Sequence, residues 1–262
     1  MATSSITKNF VISGQRQVEM FADAIEASAN DQTPSIKVNA TFLTDPKDIA
    51  KFMQKRKKAN AGSKYTVFNI REYLNGNNEE LGEDDLRQVL SEFSCEKNPD
   101  VERFAKEQSI EFAKKQQSVT YLVFSTEDAE LVGYFAITIK PITVNAESFS
   151  NTIKKKLARV SELNEQNHTY NMAAYLIAQL GKNYNNGAND RITGEELLGL
   201  AIKQLQQLQY LAGGMVVFLE TLNEEKLLSF YQGKGFQQFD SRLSESASHE
   251  PHELIQLLKI LK

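Results

Sequence analysis

The chain has a single cysteine, Cys95, in 262 residues, so no internal disulfide can form. That excludes a scaffold stapled by bridges and fits a reducing compartment. Long hydrophobic runs are missing too: no window approaches the roughly 18 apolar residues that a membrane-spanning helix needs. Residues 1–10 lack a basic segment followed by an apolar run, so no secretory signal is expected. Charge of one sign is not in excess, with 30 Lys and Arg against 34 Asp and Glu and a net charge of −4. Such a surface does not as a whole advertise nucleic-acid binding. HExxH, the P-loop lysine signature, the nucleophile elbow and paired-cysteine zinc patterns are all absent, which leaves those enzyme classes without support. What is there is globular: 41% hydrophobic and 24% charged residues exclude a wholly disordered chain or a collagen-like repeat. The length suits one or two domains, and the expected location is cytoplasmic.

Two parts are expected, 1–88 and 89–262. In the first, Phe10-Val11-Ile12 reads as a strand, and Val18, Phe21, Ala22, Ile25 and Ala29 keep helical spacing. Ile36, Val38, Ala40 and Phe42 alternate as a half-buried strand does. Asp45-Pro46 is a helix start, and Tyr65, Val67 and Phe68 resume a strand. Asn75 to Asp85 is polar, acidic and glycine-containing, and reads as a linker.

In the second part, Val101, Phe104, Ala105, Ile110 and Phe112 fall on one or two helices. Val119–Phe124 and Leu131–Pro141 form a hairpin around a turn at 125–130. A lysine-rich, partly helical excursion runs from Val144 to His168. Ala173–Leu180 is a buried strand, and the loop 181–193 precedes a helix from Gly194 to Ala212, stopped by Gly213-Gly214. Met215–Leu219 is a strand, Asn223–Gln232 a helix, and Phe236 and Leu254–Leu261 supply closing strands.

The ordered set TYLVF…ELVGYFAITIKPI, AYLIAQLGK, TGEELLGLAIKQL and SFYQGKGF resembles the GNAT superfamily of acyl-CoA N-acetyltransferases. More narrowly, it resembles the acetyltransferase toxins of bacterial toxin–antitoxin modules that act on aminoacyl-tRNA. The resemblance spans about residues 90–262 and implies an α/β fold with a mixed, largely antiparallel sheet and flanking helices. It leaves residues 1–88 as a small α/β accessory domain. It implies acetyl-CoA as co-substrate and, as partners, tRNA and an antitoxin or a second copy of the chain, with no membrane.

The same resemblance assigns residues. The family's pyrophosphate loop, Gln/Arg-x-x-Gly-x-Gly/Ala, falls on Asn189-Asp190-Arg191-Ile192-Thr193-Gly194. There glycines and a helix amino terminus would bring amides to phosphate. Gly194 is kept, Ile192 stands for the middle glycine, and Asp190 adds a negative charge that Arg191 and Lys182 would offset. Backbone amides from Thr193 to Glu195 complete the cradle. Leu180, Gly181 and Lys182 match the strand end that meets the thioester carbonyl, Asn223 joins the cofactor contacts, and Tyr231 matches the usual proton donor to the departing thiolate.

Acetyl transfer requires a neutral amine, a stabilised oxyanion and a proton for the thiolate. An α-amine, with a reference pKa of about 8, is partly neutral at pH 7, whereas a lysine amine near about 10.4 is not. The lack of an evident base therefore favours an α-amine, with aminoacyl-tRNA first among acceptors. The rival reading is a GNAT-fold binding or regulatory protein whose altered loop has lost acetyl transfer. In another, residues 1–88 restrain the second part. Glu220 and Glu224 flank the last helix as possible helpers of a base or as plain dipole partners. Cys95 reads as an inert thiol, and His168 as a surface residue. His249 and His252 read as a solvated loop. Lys51–Lys64 and Lys154–Lys156 read as solvated helix ends or as phosphate grips.

Overall fold

The structure, a computed structural model, describes residues 63–74, 82–244 and 253–261. These fall within one compact unit, Gln54–Lys262. Expectations placed on residues 1–62, on 75–81 and on His249 and His252 lie outside the described residues.

Among the described residues, eight strands form one sheet: β1 Tyr65–Asn69, β2 Val119–Ser125, β3 Leu131–Asn145, β4 Leu163–Asn164, β5 Thr169–Lys182, β6 Val216–Leu222, β7 Gln237–Leu243 and β8 Glu253–Ile260. Their order is β1-β2-β3-β5-β6-β8-β7, with the two-residue β4 also on β5. All pairings are antiparallel except β5 with β6. The helices are α1 Arg71–Leu74, α2 Glu83–Ser91, α3 Pro99–Arg103, α4 Ser109–Lys114, α5 Asn151–Leu157, α6 Gly194–Ala212 and α7 Glu225–Gly233. A wide turn over Phe104–Gln108 joins α3 to α4. The expected mixed, largely antiparallel sheet with flanking helices is what forms.

Period-two patterning sorts the sheet into two faces. On one, Phe135, Ile177, Val217 and Leu219 pack against Leu197, Leu198, Ala201 and Leu205 of α6, and Phe230 and Tyr231 of α7 lie over them. The other face is covered in two places. Leu86, Leu90, Val101, Phe104 and Ile110 of α2–α4 lie over Leu122 and Tyr134. Leu157 of α5 lies with Tyr170, Met172, Phe218 and Phe239.

Two expectations change. Residues 65–69 are not part of a separate domain: β1 pairs along its length with β2, Tyr65 opposite Ser125 and Asn69 opposite Tyr121. The segment read as a linker becomes, from Gly82 on, the start of α2, whose Leu86 and Leu90 are fully buried. A division at 88 would therefore cut through one core. Polarity misled here because Glu83, Asp84 and Asp85 favour the amino-terminal end of a helix as much as they favour a loop. The other change is that β5 continues through Gly181 to Lys182, past the glycine that seemed to end it.

Candidate active site

The parallel pair β5–β6 is short. Tyr175, Leu176 and Ile177 face Val217, Phe218 and Leu219, and there the pairing ends. β6 runs on to Leu222 against β8, and β5 runs on to Lys182 against β3 alone. At the parting point β5 carries a bulge: Ile137 faces Ile177 but Ala136 faces Gln179, which leaves Ala178 extra. A bulge bends the strand that holds it and raises its twist, which turns β5 away from β6. Beyond it the Asn183 amide donates to the Val132 carbonyl at 2.9 Å. Antiparallel alternation then directs Gly181, opposite Tyr134, to β3, and turns the amides of Leu180 and Lys182 to the open side. The result is a V-shaped split with unpaired backbone donors on its β5 arm.

Two glycines let other elements approach this arm. A Cβ at Gly181 would stand 2.3 Å from Cγ1 of Val101, so the residue must be glycine for α3 to seat there. The Tyr134 hydroxyl fixes the same contact by donating to the Val101 carbonyl at 2.6 Å. A Cβ at Gly133 would stand 2.8 Å from the Gly181 carbonyl and 3.3 Å from Leu197, which brings the first turn of α6 onto the arm.

α6 starts on a capping box. The Thr193 hydroxyl accepts from the Glu196 amide at 3.1 Å, and the Glu196 carboxylate accepts from the Thr193 amide at 2.8 Å. That amide bond, aided by Lys64 at 3.0 Å, holds the Glu196 carboxyl at about 2. The box consumes one of the helix's free donors and leaves the amides of Gly194 and Glu195 without a cap. Glu195 is paired with Lys234 at 2.6 Å, and a Cβ at Gly194 would make ordinary contact with Phe230 at 3.6 Å. The α6–α7 contact therefore does not require glycine at 194.

The loop before the helix differs from the expectation in two residues. The Ile192 side chain is fully buried in the α6-side core, so only its backbone is available to a ligand. Arg191 does not face Asp190 as an offsetting cation. Its guanidinium is engaged by Asp128 and by Glu130, at 3.1 Å, from the β2–β3 turn. Lys182 donates to the Asn189 carbonyl at 2.6 Å, and Asn189 donates to Asp190 at 2.8 Å. Sequence proximity suggested the pairing of Arg191 with Asp190; the hairpin turn, distant in sequence, wins it.

Tyr231 lies on α7, its ring edge-on to Phe230 at 5.0 Å and to Phe236 at 5.9 Å. It packs on the cluster that also holds Leu180 and Leu219, one from each arm of the split. Burial pushes its phenol up to about 12, so it is fully protonated at neutral pH. Glu220, the first residue of β6 beyond the last β5 partner, is unsuited to act as a base. Desolvation would raise its carboxyl, but bonds from Arg242 at 2.6 and 2.7 Å and from Gln256 at 2.7 Å outweigh that and keep it below the usual range. Asn223 donates to Glu253 at 2.9 Å, and Glu224 stands at the extended N-cap position of α7 without a side-chain capping bond. Cys95 is buried, with its thiol pushed up by desolvation, as an inert thiol would be. Among the described residues no three His, Cys, Asp or Glu side chains gather as a metal site. No described helix is long and apolar enough to cross a membrane.

The sequence could not have disclosed Tyr65. Its hydroxyl donates to the Arg191 carbonyl at 2.8 Å, which ties the edge strand β1 to the loop in front of α6.

No family model and no curated protein matches the chain. Among solved structures it is similar to a mutant of the toxin AtaT, at 14% identity over 76% of this chain and 90% of that chain, with a TM-score of 0.48. It is similar to AtaT complexed with acetyl-methionyl-tRNA, at 15% identity over 73% and 93% of the two chains, TM-score 0.47. A mutant of KacT is similar at 17% identity over 74% and 95%, TM-score 0.48.

Proposed function

We propose that the chain is an acetyl-CoA-dependent N-acetyltransferase whose acceptor is a primary α-amine, with aminoacyl-tRNA the favoured carrier. The observation that carries this reading is the split between β5 and β6, whose β5 arm bears free amides under the first turn of α6. A thioester laid in the split has its carbonyl within reach of the Leu180 and Lys182 amides, donors that an oxyanion needs and that cost no reorganisation. The pyrophosphate then falls toward the uncapped amides of Gly194 and Glu195.

Tyr231 supplies the proton to the departing thiolate. From a phenol at about 12 to a thiol of ordinary pKa, about 8.5, the transfer climbs roughly 5 kcal/mol. It balances when the thiolate is desolvated in the same apolar surroundings, since burial raises a thiol as it raises a phenol. With Glu220 held ionised by Arg242 and Gln256, the chain offers no base there, and the acceptor must arrive already partly neutral. An α-amine does so at pH 7, and a lysine side chain does not.

A second reading has an observation of its own. The carboxylate of Glu196 occupies the mouth of α6, and Arg191 is committed to Asp128 and Glu130. A chain arranged so is poorly prepared for a pyrophosphate, as a GNAT-fold binding or regulatory protein would be. Calorimetric titration of the full chain with acetyl-CoA separates the two. Saturable binding, followed by CoA release on adding aminoacyl-tRNA, supports the enzyme; no heat and no thermal shift at millimolar acetyl-CoA would sink it.

A further inference from the structure

A cavity of about 400 Å³ lies at the end of the sheet away from the split. Its wall includes Leu258 and Ile260 of β8, and Ile260 faces Val216, the first residue of β6. The split opens only past Leu219, toward the other end of that strand. The floor is apolar, made by Ile153 of α5, Ile202 of α6, and Leu258, Ile260 and Leu261. Three stretches remote in sequence set lysines around it: Lys156 from α5, Lys234 from the turn after α7, and Lys259 from β8. Gln206, Gly235 and Gln237 complete the lining, and no described lining residue is acidic. The volume is within the range of roughly 300–1,000 Å³ usual for small-molecule sites, as is an apolar floor with a few placed polar groups.

The three lysines are not equivalent. Lys234 is drawn to Glu195, 2.6 Å away in the first turn of α6. Lys259 is pinned: its Nζ donates to the Lys234 carbonyl at 2.7 Å and stands 5.6 Å from the centre of the Phe236 ring. Lys156 is half-buried and has no carboxylate partner among the described residues, nor have its neighbours Lys154, Lys155 and Arg159. No acid stands between Glu147 and Glu162 to supply one locally. Cations gathered over low-dielectric walls repel one another and focus a positive potential into the hollow. An anion entering relieves that repulsion. A bare inorganic anion would leave the isoleucine and leucine floor wet, and a neutral apolar molecule would bring the ammonium groups no partner. A molecule with an acid head and an apolar body meets both demands, and the body gains by the area it buries.

We infer that this cavity binds a small anionic amphiphile, a carboxylate or phosphate head on a hydrocarbon body. Lys156 and Lys259 hold the head, and Ile153, Ile202 and Leu258 receive the body. The site stands apart from the split, so the inference does not depend on the acetyltransferase reading.

The test is calorimetric titration of the full chain with octanoate, octyl phosphate, butyrate, 1-octanol and inorganic phosphate. Expected is saturable one-to-one binding of octanoate and octyl phosphate, with the tighter of the two naming the preferred head. Butyrate should bind at least tenfold more weakly than octanoate, since each buried methylene is worth about fourfold. Octanol, which lacks the charge, and inorganic phosphate, which lacks the body, should each be at least tenfold weaker as well. Lys156→Glu should weaken octanoate by about 10–100-fold, the worth of a hydrogen bond to a charged group, and Lys156→Arg should restore it. Lys203→Glu makes the same charge change on an exposed part of α6 outside the cavity and should leave binding unaltered. Equal melting temperatures of the three variants and the parent show that the fold is kept. Octanol binding as tightly as octanoate, no effect of Lys156→Glu, or an equal loss in Lys203→Glu overturns the assignment. So does attachment to phosphatidylglycerol vesicles with no binding of either soluble amphiphile, which would make the lysines a membrane-facing patch.

Discussion

The hydroxyl of Tyr65 hydrogen-bonds the backbone carbonyl of Arg191 across 2.8 Å, although 126 positions separate them. The link is doubled by the neighbouring Lys64, which pairs with Glu196 in the first turn of α6 at 3.0 Å. The edge strand of the sheet thus holds the loop that enters α6, and a segment that seemed accessory to the site supports it.

Tyr65→Phe should therefore act locally. It removes one hydrogen bond and leaves a carbonyl unpaired, a loss of about 1 kcal/mol. Urea unfolding should show that loss with an unchanged m-value. Acetyl-CoA affinity should fall further than Lys64→Ala makes it fall; if neither change alters affinity, β1 does not support the loop.

Removing residues 1–88 should abolish cooperative folding and not release activity. The cut strips β1 from the β2 edge and takes Ile70 and Leu86 from the core. Loss of one buried leucine alone typically costs about 2–5 kcal/mol, a large share of a typical domain's stability of about 5–15 kcal/mol. Circular dichroism melting of 89–262 is the measurement. A cut before Ser63 keeps every contact described above, and is the one suited to asking what residues 1–62 contribute.

Gly181→Ala should destabilise by about 1–3 kcal/mol through overpacking, because its new methyl would collide with Val101 on α3. Val101→Ala in the same chain should recover part of that loss. Additive losses in the double variant would mean that Gly181 is needed for another reason.

Tyr231→Phe should lower turnover by roughly 10²–10⁴, with acetyl-CoA affinity nearly unchanged. A phenol raised to about 12 keeps its proton as pH climbs through the ordinary tyrosine range. The rate should then show no falling limb between pH 8 and about 10 assignable to loss of this acid. A limb there that vanishes in Tyr231→Phe contradicts the burial described here.

Glu196→Gln tests the cap by pH. A carboxyl lowered from 4.5 to about 2 contributes stability that is present above 4.5 and is lost as pH falls toward about 2. The side chain is 34% exposed, so screening reduces the effect to about 1 kcal/mol, the usual size of a cap. Chemical unfolding at pH 7 and at pH 2 should show the two chains differing at the higher pH and converging at the lower. A constant difference would assign the loss to packing.

Local chemistry made much of this molecule legible in advance. The span Gly194–Ala212 was readable because an amino-terminal threonine cap, apolar residues at helical spacing and a pair of stopping glycines are all local signals. The β2–β3 hairpin was readable for the same reason, as were the core face of α6 and the aromatic pair that places Tyr231. Partnerships across the chain were not. That β1 belongs to the main sheet, that Gly181 is a glycine on account of Val101, and that Arg191 answers Asp128 and Glu130 depend on residues 52 to 126 positions away. The split itself hangs on one extra residue, Ala178, at the end of a run from Met172 that carries no polar break to mark it. A period-two pattern tells which face a side chain takes. Where two neighbouring strands stop pairing is decided by the twist and register of the whole sheet.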